Sequence, residues 1–237
     1  MAETDASVWR GLRARLKGPT VQGWVVEAND GIIATAGLLE GFAGAGAGDQ
    51  LLITAALAAT IAGALSVGGA KWSEAATERD AQLATVAYEQ RLLAANPDDE
   101  LAELAEHYVG RGLTPDLAQQ VAEQLHAADP LSAQLQTEYG IDEIPPARAP
   151  VLTGLGAGIS FAVGSSIPLL ITFVAPISLD AIAVLIAVVV SLIITSIIVA
   201  HSAYLSVRRT IVRTLIVGLS TMGVSYVAGL VLLPPTG

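Results

Sequence analysis

The chain has 237 residues, of which 53% are hydrophobic and only 14% charged, and its mean hydropathy is +0.59. Soluble domains carry about 25% charged residues, so the composition excludes an ordinary soluble protein and predicts an integral membrane protein in contact with a lipid bilayer. The net charge of -10 argues against a nucleic-acid partner, which selects basic surfaces. With no cysteine, disulfides, thiolate metal sites and thiol catalysis are removed together. No nucleophile–base pair, phosphate loop or redox-cofactor motif stands out, so neither an enzyme nor an organic cofactor is expected.

In chain order, residues 1–21 mix Glu3, Asp5, Arg10, Arg13, Arg15 and Lys17. They read as an amphipathic cytoplasmic segment rather than a signal peptide, because no small-residue cleavage site closes a short apolar core. The apolar region 22–71 is too long for one crossing of roughly 20 residues. The Gly/Ala run Gly44–Gly48, followed by Asp49 and Gln50, divides it into transmembrane helices one and two. Region 72–147 is an acidic helical insert resembling a metal-binding domain. Helix two is predicted to run on through Lys71 and Trp72 to near Ala95, with Lys71 snorkelling to the surface. Asn96-Pro97, Thr114-Pro115 and Asp129-Pro130 each put a capping residue before a proline at the first helical position, and Gly110, Gly112 and Gly140 supply stops. Region 148–237 holds three apolar blocks, about 150–174, 178–205 and 210–233, each long enough to span; Pro168 predicts a kink in the first. The fold class is thus an all-α membrane protein with five transmembrane helices per protomer and a cytoplasmic helical insert between helices two and three.

All twelve lysines and arginines fall on one side of that arrangement, and the loops near Gly46–Gln50 and Ala175–Asp180 carry none. The positive-inside rule then places the N-terminus and insert in the cytoplasm and the C-terminus outside.

Glu27, Asp30 and Glu40 lie in helix one, with no lysine or arginine between Gly18 and Ala70 to neutralise them. A charge at bilayer depth costs at least roughly 2.5 kcal/mol, so such acids usually face a pathway or a cation. At about 100° per residue, Asp30 shares a stripe with Gly37, Gly41, Gly44 and Gly48. GxxxG spacing permits close helix approach, which predicts a homodimer through helix one with two Asp30 side chains near its axis; the alternative is that the glycines only pack helices. Glu40 is expected to lie deep and to carry protons or make a structural hydrogen bond. Glu27 is read either as a further ligand or as a headgroup-level charge. In the insert, Glu100, Glu103 and Glu106 recur every third residue, with Glu89 on the preceding helix and Glu138 on the last. Carboxylates from three helices suit hard or borderline divalent cations; the alternative is a solvated acidic face.

The segments Glu27-Ala28-Asn29-Asp30-Gly31-Ile32-Ile33, Ile61-Ala62-Gly63-Ala64-Leu65-Ser66 and Glu78-Arg79-Asp80 resemble the vacuolar iron transporter family. So do Asn96-Pro97-Asp98-Asp99-Glu100-Leu101-Ala102-Glu103-Leu104 and Arg111-Gly112-Leu113-Thr114-Pro115. The resemblance runs from about Gly23 to the end. It implies a homodimer of five-span protomers exchanging cytoplasmic Fe2+ or Mn2+ for protons along a path between the subunits, with the insert collecting metal. It also implies that Asp30 is the pathway aspartate and that Glu89, Glu100, Glu103 and Glu138 are insert ligands. The chain departs from the family pattern at Gly23, Ala59, Val67, Leu92, Gln134 and Leu135, where family members place acids or methionines. The all-oxygen set that remains suits Mn2+, Fe2+ or Mg2+ better than Cu(I).

The expectation is therefore a proton-coupled metal exporter, with Glu27 and Glu40 compensating for lost acids, in a bacterial inner or plasma membrane. The alternative is a non-transporting or differently selective relative that acts as a membrane metal sensor or scaffold.

Overall fold

A computed structural model describes residues 19–174 and 180–232. The N-terminal amphipathic segment and the Ala175–Asp180 loop anticipated from the sequence lie outside these residues, apart from their edges. The described residues form eight helices: α1 Pro19–Gly44, α2 Asp49–Ala95, α3 Pro97–Gly110, α4 Pro115–Ala128, α5 Pro130–Glu138, α6 Ala149–Val174, α7 Asp180–Ser202 and α8 Val207–Leu232. No strand occurs among them. The chain divides into two compact units, one of residues up to Trp72 together with Leu152 onward, the other Ser73–Val151.

In the first unit, α1 is the hub. Ile32 and Ala36 are completely buried in a cluster with Val184, Val188 and Leu192 of α7 and Met222 of α8. Leu39 packs with Leu52 and Ala56 of α2 and Leu169 of α6. α1 approaches α6 closely enough that a Cβ on Gly164 would collide with the Ala28 carbonyl, and one on Gly31 would meet the Ser165 amide nitrogen at 2.9 Å. Across this contact Ser165 Oγ donates to the Gly31 carbonyl at 3.2 Å. Backbones that touch at small residues gain dispersion contacts where lipid tails offer no hydrophobic drive.

α2, α6, α7 and α8 are each long and apolar enough to cross a membrane. They turn large side chains outward, among them Leu65 at 73%, Ile159 at 63% and Val224 at 70% exposure, as surfaces meeting lipid do. α1, with 26 residues, is long enough but too polar to count as a span on composition, because it carries Glu27, Asn29, Asp30 and Glu40. Its surroundings explain this: a helix enclosed by four others faces protein over most of its circumference and need not match hydrocarbon. The chain is a membrane protein with four helices among the described residues that are apolar enough to span.

α2 is continuous over 47 residues, about 70 Å at 1.5 Å per residue, through Lys71 and Trp72. Pro168 lies within α6 without ending it; its own carbonyl accepts from Thr172 Oγ1 at 3.0 Å.

In the second unit, α3, α4 and α5 pack mutually around Leu104, Ala105, Ala122 and Ala133. Each helix begins with proline, which has no amide hydrogen to leave unpaired in the first turn. Of the three anticipated caps, Asp129 accepts from the Ser132 amide at 3.1 Å and from its hydroxyl at 2.7 Å, which holds the Asp129 carboxyl below the usual range. Asn96 and Thr114 occupy cap positions but make no side-chain cap bond; proline's fixed φ does the work there. After α3 the chain turns at Gly112, whose φ of +99° strains any residue with a Cβ.

Candidate metal-binding sites

The membrane unit places three carboxylates on α1, in an order of burial that inverts the sequence expectation. Glu27 is the buried one, at 7% exposure. Asp30 is exposed and Glu40 half-buried, so Glu40 is not the deeply enclosed acid anticipated from its apolar neighbours. Glu27 Oε1 lies 3.9 Å from Lys71 Nζ on α2. Lys71 therefore turns toward a carboxylate rather than simply snorkelling away. Both line a cleft of about 430 Å³ with Trp24, Leu152 and Thr153. A buried carboxylate is retained only where a counter-charge or hydrogen bonds offset its desolvation, and the cation absent from α1 itself comes from the next helix.

The glycine stripe is also used differently from the sequence expectation. A Cβ on Gly37 would meet Thr221 at 3.2 Å, one on Gly41 would meet the Ser225 carbonyl at 3.3 Å, and one on Gly44 would collide with the Tyr226 carbonyl. Those partners belong to α8 of the same chain. Gly48 has open space around it. The stripe is thus largely an intramolecular seam. The row of α1 left exposed is Val26, Asp30 and Ala34, at i, i+4, i+8 spacing.

In the insert unit, Glu100 and Glu103 on α3 and Glu138 at the end of α5 each offer a carboxylate oxygen within 4.8 Å of the others. Glu89, on the part of α2 beyond residue 72, is fully buried, its Oε1 has no hydrogen-bond partner, and Glu100 acts on its carboxyl. Burial comes first, followed by Glu100 and then Glu138; together they push the Glu89 carboxyl up to about 7, against a lowering by the Tyr139 hydroxyl. Burial and the charges of Glu103 and Glu100 also raise Glu138. Tyr139 Oη donates to Glu89 Oε2 at 3.4 Å, and burial beside Glu89 and Glu138 lifts its phenol to about 12. Like charges gathered without a cation shift toward protonation, and a divalent ion placed among them relieves that strain.

Glu106, expected in the same set, stands exposed outside this cluster. Gln134, which the sequence presents as a lost ligand, is completely buried among the carboxylates. Its Nε2 donates to the Glu100 carbonyl at 2.7 Å and to Glu100 Oε2 at 3.3 Å, and its Oε1 has no hydrogen-bond partner. Sequence spacing gave no signal for Gln134 or Tyr139, since neither repeats with the glutamates.

Helices apolar enough to span pack around α1, which carries three carboxylates, and a separate carboxylate cluster stands in the second unit; the fold is that of a membrane protein. Residues 21–230 match the sequence model of the VIT family, and the chain belongs to that family. It is 37% identical over 153 residues to a vacuolar iron transporter of Acanthamoeba castellanii, covering 63% of this chain and 55% of that protein. To vacuolar iron transporter 1 of Arabidopsis thaliana it is 29% identical over 167 residues, 70% of this chain and 66% of the relative. To vacuolar iron transporter 1 of Oryza sativa subsp. japonica it is 31% identical over 155 residues, 65% and 61% respectively. The chain thus spans less than two thirds of these relatives' lengths. The family resemblance drawn from the sequence is borne out, and the relatives are named as transporters, not enzymes.

Proposed function

We propose that the chain is a metal-ion transporter that moves Fe2+ or Mn2+ out of the cytoplasm across its membrane in exchange for protons. The observation that carries this reading is the insert cluster, in which Glu100, Glu103 and Glu138 bring ligand oxygens within 4.8 Å of one another beside the buried Glu89. Hard oxygen ligands at that separation suit a divalent cation of this class, and Gln134 offers a carboxamide where a softer ligand would favour other metals. The relatives' names support iron as the cargo.

In this account the working unit is a homodimer through α1. The support is the exposed Val26, Asp30 and Ala34 row, not the glycine stripe, which α8 fills. Asp30 from each subunit lines the path at that interface. Glu40 is the auxiliary ligand or proton carrier, and Glu27 is held in reserve by Lys71. The lysine and arginine distribution supports a cytoplasmic insert and, with α1 as the fifth span, an external C-terminus; the membrane is a bacterial inner or plasma membrane.

Flux into proteoliposomes under an imposed pH gradient tests this, with Fe2+, Mn2+, Co2+, Zn2+ and Mg2+ in competition. Uptake of Fe2+ or Mn2+ that collapses with the gradient is expected; uptake of another cation alone would reassign the substrate. A second reading, a metal sensor or scaffold, draws support from the Glu27–Lys71 pair, a carboxylate already given its cation. It predicts metal binding by the insert without any flux.

A further inference from the structure

The beginning of α8 carries a feature that metal transport does not use. Arg208, Arg209 and Arg213 line an open groove of about 680 Å³ that, among the described residues, is formed by the start of α8 alone, with Ser206, Val212, Ile216 and Val217 as its other lining. All three arginines are exposed, and none makes an ion pair or hydrogen bond with another described residue. Three exposed guanidinium groups along one groove, with no carboxylate lining it, make a cationic surface that suits an anion.

The cleft changes character along the helix. Arg209, Arg213, Ile216 and Val217 follow at i, i+4, i+7 and i+8 and share one face of α8. Its first two turns are cationic, and the turns below are apolar, with Ile216 64% and Val217 51% exposed. The cleft opens at the end of a helix apolar enough to span from Val207 to Val231. Tyr204, 85% exposed in the preceding turn, has the amphipathic ring that settles at headgroup level. A free phosphate would satisfy the arginines and leave the apolar wall unused. A molecule with an anionic head and an acyl chain fits both ends.

We propose that this cleft is a binding site for the headgroup of an anionic phospholipid. Arg208, Arg209 and Arg213 hold the phosphate by paired N–H donors, and an acyl chain lies along Val212, Ile216 and Val217. Such a lipid would bridge the start of α8 to the bilayer surface. This inference is independent of the transported ion.

The test uses the full-length protein, delipidated in mild detergent, with lipid retention followed by native mass spectrometry. Phosphatidylglycerol should be retained at least roughly tenfold more tightly than phosphatidylcholine. Arg208→Gln/Arg209→Gln/Arg213→Gln should weaken the anionic lipid on the order of a hundredfold and the zwitterionic one, whose phosphate is offset by its own choline, by only about tenfold, so that the preference disappears, since each basic residue near an anionic surface contributes about fivefold. Should the triple variant fail to fold, Arg213→Gln alone should weaken phosphatidylglycerol about fivefold, and the three-lysine variant, which keeps the charge, should retain part of the preference. Equal retention of the two lipids, or an unchanged preference in the variants, overturns the site. Displacement of phosphatidylglycerol by equimolar inorganic phosphate would assign the cleft to free phosphate and overturn the lipid.

Discussion

Glu27 and Asp30 are three residues apart on one helix, yet their environments differ. Glu27 is buried against the Lys71 ammonium at 3.9 Å, while Asp30 is exposed on the row left open by the other helices. The pair lies between a surface ion pair and a buried one: the Glu27 side chain is 10% exposed and that of Lys71 41%. Replacing Lys71 by Met should therefore lower stability by about 1–3 kcal/mol, measured as a fall in thermal midpoint in detergent. In a Glu27→Gln background the same replacement should cost much less; an equal cost in both backgrounds would mean that Lys71 stabilises by packing alone. This pairing was not legible in the sequence, because residues 44 positions apart meet only through the packing of α1 on α2. Asp30 was legible as an acid in an apolar helix, but its exposure depends on which face α8 covers.

Helices were more legible than their faces. The prolines at 97, 115 and 130 begin α3, α4 and α5 where the sequence puts them, because a missing amide hydrogen and a fixed φ are local properties. α2 runs unbroken to Ala95 for a similar reason: nothing in it interrupts the ladder. The glycine stripe on α1 failed as a guide to the partner, since small residues permit close approach without specifying whose helix approaches. Gly164 shows how strict that approach is. Gly164→Leu would drive a side chain into the Ala28 backbone and should destabilise the membrane unit by about 3 kcal/mol or more. Gly69→Ala, in α2 with nothing within 4 Å, should be neutral or stabilising by up to about 1 kcal/mol; similar thermal midpoints for both variants would refute the α1–α6 contact.

The insert should also respond to pH. The Glu89 carboxyl is raised to about 7 from an ordinary value of 4.5, so the fold binds a proton that the unfolded chain releases. That contribution to stability is fully present below about pH 4.5 and is lost as pH rises through about 7. Hydrogen-exchange protection factors across α3 and α5 in metal-free protein, with the intrinsic base-catalysed rise divided out, should fall between pH 5 and about 7.5, and Mn2+ should suppress the fall. Protection factors that stay constant or rise over the same interval would contradict the raised carboxyl. Glu89→Gln should flatten the profile.

On the scale of the whole molecule, the chain combines a lipid-facing shell, a polar hub helix and an acidic insert, and belongs to the VIT family. Composition and the order of apolar blocks made the membrane class legible, whereas the hub role of α1 was not, because enclosure by four helices is a tertiary property. The two carboxylate sites should separate functionally. Glu100→Gln/Glu103→Gln/Glu138→Gln should weaken metal capture at low concentration and spare the maximal rate, seen as a raised half-saturation concentration.

The most direct test of proton-coupled metal transport through an Asp30-lined path is Mn2+ or Fe2+ flux into proteoliposomes under a pH gradient, comparing the unaltered protein with Asp30→Ala. Gradient-driven flux is expected in the former and a loss of at least about tenfold in the latter, with the variant reconstituted to the same level. Undiminished flux through Asp30→Ala would contradict the path, and the absence of flux from the unaltered protein, with metal still bound by the insert, would contradict transport itself.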